Sequence, residues 1–568
     1  MVKVLHVTYR FGGDIIGGAE NYLWNLSRQL ASRGVDVTIA ATTARDFHLP
    51  TRWNVFYKEG YKAGEEVSDG LRILRFPFFA TPKWLAGFYG RSLQRQFDAE
   101  EWTYPPPPVQ SESGGILLRG WYFEEPAGRQ SIRWTQKTAE ILIRGEHIWE
   151  IGFSALCPWK NSGEVFINGE KAGEFLPNSK FQYFAFKPLS PQNELFIQIR
   201  LKKTKRPWRD LRSLGMMVGS IAYKQGDDSV DLPLHQHYSS YLYPRKNELF
   251  GWLETRAKAR PVPYNALFDK ARGPVSKPLM KYIYDRAGEY DLILGHDFPN
   301  WTLGAAIMAG KRAGIATAAL PLAHLEDDYY HWRHYYEALA AADLTFSLSD
   351  YSRDVFRARW GANAHTLGGG INLDEFQTAQ FHGGAFRKKH GLENIPMVLF
   401  IGRKSYPKRY DSLIRAMRIV NQSRPARLVM IGPDENRQPI EPADALYLGS
   451  ENRQGILDAL DACDIFAMLS GSESFGMVFT EAWMRRKPVI GYRYCGAVAS
   501  LITDGEDGYL CDSDEDVARR ILELLDHPDL RQRMGAAGEQ KTLARYTWDI
   551  IGAKALAHYQ EAIAQKSQ

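Results

Sequence analysis

Cysteine is scarce in this sequence: only 4 of 568 residues, at Cys157, Cys463, Cys495 and Cys511. They stand far apart, without the spacing of a metal site, which argues for buried thiols in a reducing compartment and against a disulfide framework. Long apolar runs are missing too. No stretch approaches the ~20 residues that a membrane span requires, and the opening segment lacks the cleavage pattern of a secretory signal. The expectation is a cytoplasmic protein, with room for a peripheral contact on the inner face of the membrane. Charge of one sign is also lacking. The 71 Lys and Arg against 66 Asp and Glu leave +5, so nucleic acid is not an expected partner. There is no biased tract, no Walker lysine motif and no G-x-G-x-x-G fingerprint.

What is present falls into three textures, in a chain of 568 residues that exceeds one core. Residues 2–8 read as a buried strand, Gly12 to Gly18 as a glycine-rich loop, Glu20 to Arg33 as a helix, and Val35 to Ala41 as a second strand. That is a βαβ unit, the start of a parallel sheet. Four prolines, Pro105 to Pro108, then mark a border. Beyond them come short alternating segments such as AEILIRG, HIWEIGFSAL and NELFIQIR, split by turns such as Asn168-Gly169, which predict an all-β sandwich. The α/β texture then returns. The expected division is 1–104 with 231–342 as one Rossmann-like domain, 105–230 as an inserted β-sandwich and 343–546 as a second Rossmann-like domain. Residues 547–568 form a last helix packing back on the first domain.

Two parallel-sheet halves predict a ligand in the cleft at the carboxyl ends of their strands. Glycines at Gly17 and Gly18 would let backbone amides approach a phosphate at the start of a helix. Arg403 leaves the strand Met397 to Ile401 directly, and Lys408 follows in the same loop; two cations at a strand exit suit a departing diphosphate. The segment from Ser470 to Glu481 follows another apolar strand and opens a helix, whose free amides would point into the cleft. Glu473 lies in that loop and Glu481 in the helix. A carboxylate accepts paired hydroxyls well, so each suits a sugar or a ribose. Glu481 sits among Val478, Phe479, Ala482 and Trp483, and a buried carboxylate needs a partner.

The spacing Glu473-x7-Glu481, with Phe475-Gly476 inside it, resembles the retaining glycosyltransferases of family 4, which have the GT-B fold. Further segments resemble that family in the same order: Gly17-Gly18-Ala19-Glu20, Asp291 to Asp297, Ser347-Leu348-Ser349, Gly370 to Phe376, Gly402-Arg403 with Lys408, and Ile502 to Leu510. The resemblance covers nearly everything outside the insert. It implies an α/β protein of GT-B architecture that moves a hexose from a nucleotide-diphosphate sugar, with retention, to a glycan or lipid-linked acceptor. Bacterial surface polysaccharide or glycoconjugate assembly is the implied setting. By the same resemblance Glu473 binds the donor sugar, and Phe475, Gly476 and Met477 present the helix start to the donor. Glu481 holds the ribose, Arg403 and Lys408 neutralise the diphosphate, and His296 contacts the sugar near its reacting carbon. No metal or bound cofactor is implied; the nucleotide sugar is a co-substrate. One departure stands out: Arg409 occupies the place where the family often has a glycine.

Other features tempt. Asp512-Ser513-Asp514 mimics a metal motif but has the pattern of a capped helix with acids in its first turn. Glu326-Asp327-Asp328, near His324 and His331, reads as a polar acceptor-side loop rather than a metal cluster. In the insert, Gly120 to Glu124, Arg133-Trp134-Thr135 and Arg209 to Gly215 resemble a β-sandwich module of bacterial polysaccharide-related proteins, a type of fold that often binds carbohydrate. The basic stretch Lys202 to Arg209 reads as a solvated turn. Two rival functions remain open: a non-catalytic sugar-binding protein on the same fold, and a phosphorylase with a lysine-bound pyridoxal cofactor.

Overall fold

The computed structural model describes residues 1–15, 17–51, 54–79, 114–117, 120–127, 130–205, 214–232, 234, 274–298, 300–326, 333–435 and 438–566. Ile16, the prolines Pro105 to Pro108, Arg209 to Ser213, and the loop residues Asp327, Asp328 and His331 lie outside them.

The first strand, Lys3–Val7, is buried on both faces and pairs in parallel with Asp36–Thr42 on one side and Leu292–His296 on the other. Continuous apolar strands of this kind belong in the middle of a doubly covered sheet. The sheet has eight strands. From one edge it runs Ala364–Thr366, Leu344–Ser347, Ala316–Leu320, Leu292–His296, Lys3–Val7, Asp36–Thr42, Leu71–Phe76 and Gly64–Ser68. Only the last pair is antiparallel. A second, six-stranded parallel sheet runs Leu446–Gly449, Arg427–Ile431, Met397–Ile401, Ile465–Met468, Val489–Tyr492 and Gly508–Cys511.

The boundary expected at residue 343 is corrected by this pairing. Leu344–Ser347 and Ala364–Thr366 extend the first sheet, with Ala318 opposite Leu344 and Thr345 opposite Ala364. Local alternation shows that a strand exists but does not say which sheet it joins. The halves meet where Gly368 to Ile371 passes Tyr546 to Trp548. There Ile371 N–H donates to the Tyr546 carbonyl at 2.7 Å, and Trp548 N–H to that of Ile371 at 3.2 Å.

The helix Trp548–Lys566 lies against the helix Gly18–Ala31 of the first half. Its Tyr559, wholly buried, bonds His6 Nε2 at 3.1 Å, while His6 Nδ1 reaches Ser27 Oγ at 2.9 Å. Between the two runs of the first sheet, the described residues form ten antiparallel strands in one hydrogen-bonded network around their own apolar core. Its spine is the 19-residue strand Thr138–Leu156. Residues 138–144 pair with Gln192–Leu201, and beyond an irregularity at Arg144 to Ile148 the strand pairs with Met217–Gln225 and Gln182–Phe186.

All four cysteines are buried and free. Among the described residues no helix is long and apolar enough to cross a membrane.

Candidate active site

His296 ends its strand with its ring wholly buried, and Thr8, just past the end of the adjacent first strand, bonds its Nδ1 at 3.1 Å. Thr8 Oγ1 also reaches the Arg10 carbonyl at 3.3 Å. Its bond to His296 Nδ1 runs in either direction with the ring tautomer, and the Ala19 carbonyl also faces the ring. Nε2 is buried without a hydrogen-bond partner. Burial pushes the imidazole down to about 3, so it is neutral at physiological pH. A buried, unsatisfied ring nitrogen at the strand end is what a sugar hydroxyl, able to donate or accept, would complete.

The loop that follows Thr8 is fixed by Glu20. Its buried carboxylate accepts from Arg10 Nε and from the Tyr9 hydroxyl, each at 2.5 Å. A Cβ on Gly17 would lie 2.1 Å from that carboxylate, whereas one on Gly18 would meet nothing within 4 Å. The bare backbone at Gly17 thus serves the Glu20 anchor directly. The glycine pair still stands at the helix start, Gly17 as the residue before it and Gly18 as its first.

Across the cleft, the loops after two strands of the second sheet clasp each other. Gly471 N–H donates to the Pro407 carbonyl at 2.9 Å, and Ser470 Oγ donates to the same oxygen at 3.4 Å. This contact sets Lys408 beside Glu473, and the two form a largely buried ion pair. Burial opposes the charge on Glu473, but Lys408 outweighs it and holds the carboxyl below its ordinary range. Arg403, at the end of the central strand, is half-exposed and donates through Nη1 to Glu435 at 3.0 and 3.2 Å. Arg403, Lys408 and Glu473 all act electrostatically on His324, which burial pushes down to about 4. His324 belongs to the first half, so both halves contribute to this cluster.

Gly476 precedes the helix Met477–Met484 with φ 95°, a left-handed conformation that glycine adopts without the Cβ penalty. Phe475 turns inward, 2% exposed, with its ring edge-on to Tyr546 at 5.1 Å. Glu481 has found the partner its burial demands: Arg453 Nη1 lies 2.8 Å away. Burial raises its carboxyl and Arg453 opposes that rise. Arg453 also grips Glu375 with two bonds of 2.7 and 2.6 Å. Glu473 and Glu481 therefore sit in separate neighbourhoods, one facing Lys408 and the other tied to Arg453.

Three further residues support the site in ways their sequence positions did not convey. Glu326, wholly buried, accepts from Gly496 N–H at 2.6 Å and from Ser472 Oγ at 3.2 Å, so one carboxyl of the first half holds two loops of the second. Burial pushes it up to about 8, with Glu473 adding to the rise. Lys404, 1% exposed, bonds Asp434 at 2.8 Å and supports the Arg403 loop from beneath. Arg409, the departure from the family pattern, takes φ 48° and lays its guanidinium over the Tyr492 ring at 3.9 Å. Its side chain is buried there, away from the loop surface. Ser513 caps its helix by accepting from Asp516 N–H at 3.2 Å, while Asp514 is held by Arg415. Among the described residues no cluster of His, Cys, Asp or Glu is arranged to hold a metal.

Two parallel sheets with a cleft at their strand ends define an α/β protein of GT-B architecture. Sucrose-phosphate synthase from Thermosynechococcus elongatus shares that fold over 100% of both chains, at TM-score 0.51 and 13% identity. Residues 384–541 match the family model of glycosyl transferases group 1. A GDP-mannose-dependent monoacylated alpha-(1-6)-phosphatidylinositol monomannoside mannosyltransferase of Corynebacterium glutamicum is 28% identical over 234 residues, 37% of this chain. The chain spans 60% of that relative's length. A phosphatidyl-myo-inositol mannosyltransferase of Mycobacterium leprae is 24% identical over 341 residues, 56% of this chain and 86% of the relative. The family match thus lies within the second half, and the likeness to these relatives is partial.

Proposed function

We propose that this protein transfers a hexose from a nucleoside-diphosphate sugar to an acceptor hydroxyl, with retention of configuration. The observation that carries the reading is the meeting of Lys408, Glu473 and Arg403 at the strand ends of one half with His324 of the other, the half in which His296 ends its strand with Nε2 unsatisfied. A diphosphate drawn to Lys408 and Arg403 would exchange their present carboxylate partners for phosphate oxygens. The amides at the start of the Met477 helix would add to the anion's stabilisation. Charge on the leaving group grows as the sugar–oxygen bond breaks, so these contacts strengthen in the transition state, where binding accelerates reaction. Glu473, freed from part of its pairing with Lys408, accepts from sugar hydroxyls, and His296 Nε2 bonds another. The acceptor hydroxyl then attacks from the face the diphosphate leaves. In this reading the two cations fill the role a divalent metal has elsewhere, and Glu481 with Arg453 frames the ribose end of the donor. The mannosyl and inositol-linked activities of the relatives make a lipid-linked or glycan acceptor the natural class.

The test is donor hydrolysis and transfer across a nucleotide-sugar panel, using Glu473→Ala and Arg403→Ala. Each variant should lose about 100-fold or more in kcat. Activity within about threefold of the unmodified protein in both would rule the assignment out.

A further inference from the structure

A cavity outlined by described residues lies in the first half, lined by none of the residues of the Lys408–Glu473 cluster, with a volume of about 480 Å³. That is within the ~300–1,000 Å³ range of small-molecule sites. It opens between the loop after the first strand, the helix Gly18–Ala31, the edge strand Gly64–Ser68 and its neighbour Leu71–Phe76. Two aromatic rings, Trp24 and Tyr61, and three carboxylates, Asp14, Glu66 and Asp69, line it.

The rings are held in place by backbone lacking side chains. A Cβ on Gly12 would fall 2.1 Å from the Tyr61 hydroxyl, and one on Gly13 would fall 2.9 Å from the Trp24 ring. Trp24 packs against Phe11 with ring centres 5.2 Å apart. Tyr61 is stacked on one face by the Arg75 guanidinium at 3.7 Å and donates its hydroxyl to Asp14. Arg75, the cation in the wall, is committed: it donates to the Phe11 carbonyl at 2.7 Å and to Glu66 at 2.6 Å, with its side chain 3% exposed. Arg45 in turn meets Asp14 at 3.1 Å.

This chemistry selects a ligand class. Aromatic rings together with carboxylates suit a saccharide: the rings cover its apolar C–H faces, and the carboxylates accept hydroxyl protons, Asp14 and Glu66 with lone pairs left over from their arginine and tyrosine partners. An anionic headgroup finds the opposite, three carboxylates and an arginine already engaged, so its charge would be repelled. The place fits as well. Gly12 is four residues beyond Thr8, which holds His296, and four residues reach at most about 14 Å. A chain of two or more sugars could therefore extend from the His296 end of the cleft into the cavity.

We infer that the Trp24–Tyr61 cavity is a subsite for an uncharged saccharide chain, so the acceptor is a glycan rather than a phosphorylated inositol headgroup. The inference rests on the transfer reading above and deepens it.

The test is titration of the full chain, followed by saturation-transfer NMR, with maltose, cellobiose, α-1,6-mannobiose and inositol 1-phosphate as probes. UDP and GDP titrations run in parallel. Two variants are compared: Trp24→Ala removes a stacking face, and Ser68→Trp fills the cavity from an edge strand without touching the core. At least one neutral disaccharide should bind the unmodified protein, about tenfold more weakly after Trp24→Ala. Ser68→Trp should abolish that binding, and inositol 1-phosphate should not compete. Nucleotide binding should be unchanged in both variants. No disaccharide binding, binding indifferent to both variants, or competition by inositol 1-phosphate would overturn the subsite. Failure of both nucleotides to bind would instead count against the transfer reading, leaving the saccharide result to judge the cavity by itself.

Discussion

Arg409 occupies a left-handed backbone, φ 48°, that costs a residue with a Cβ roughly 1 kcal/mol relative to glycine. Its stacking on Tyr492 offsets that cost. The two terms separate by substitution. Arg409→Ala loses the stacking and keeps the strain, whereas Arg409→Gly loses both. The glycine variant should therefore be less destabilised than the alanine variant by about 1 kcal/mol, read from urea unfolding midpoints. The position also shows what a motif can convey. Its occupant was visible as a departure from a family pattern, but the ring that receives it lies 83 positions away at Tyr492, and no local signal points there. Lys408 and Glu473 were legible for the opposite reason, since each sits within a few residues of a strand end. Glu326 and His324 were not. Their partners belong to the other half of the molecule, Ser472 standing 146 positions from Glu326.

Among the elements, the glycine pair opening the first helix divides its work unequally. Gly17→Ala drives a methyl into the Glu20 carboxylate, which cannot yield without loosening Arg10 and Tyr9. Gly18→Ala enters open space at the first helical position, where alanine is preferred by up to about 1 kcal/mol. Thermal unfolding should show Gly17→Ala destabilised by about 1–3 kcal/mol and Gly18→Ala unchanged or slightly more stable. Strands and helices were mostly readable from their periods. Sheet membership was not: Leu344–Ser347 is an apolar strand in either sheet, and only its pairing with Ala316–Leu320 decides. In the insert, the alternating segments announced strands, but not that one 19-residue strand would serve partners on both sides of an irregularity.

At the scale of the whole molecule, Glu326 ties the halves together across the cleft, and its bonds carry a pH dependence. Its carboxyl is raised from 4.5 to about 8 in the folded protein. The folded state thus holds a proton that the unfolded chain gives up, and the stability this contributes is fully present below pH 4.5 and lost as pH rises to about 8. Glu326→Gln keeps an oxygen for Gly496 N–H and offers an amide to Ser472, without the ionisation. Stability of this variant relative to the unmodified protein should rise between pH 5 and pH 8, by an amount on the order of a few kcal/mol. A difference independent of pH would contradict the assignment.

The crossing of Gly368 to Ile371 past Tyr546 to Trp548 sets how the halves can move. Both connections leave the second half side by side, joined by the bonds between Ile371 and its neighbours Tyr546 and Trp548. Gly370 is packed against the Trp548 indole so closely that a Cβ would lie 2.3 Å from it. Sliding one half along the other would break both bonds and this packing at once, whereas twisting about the paired segments keeps them. Glu326 bonds Ser472, only three residues before Phe475, whose ring packs on Tyr546 of the seam, so this contact between the halves stands beside the axis of such a twist and can outlast it.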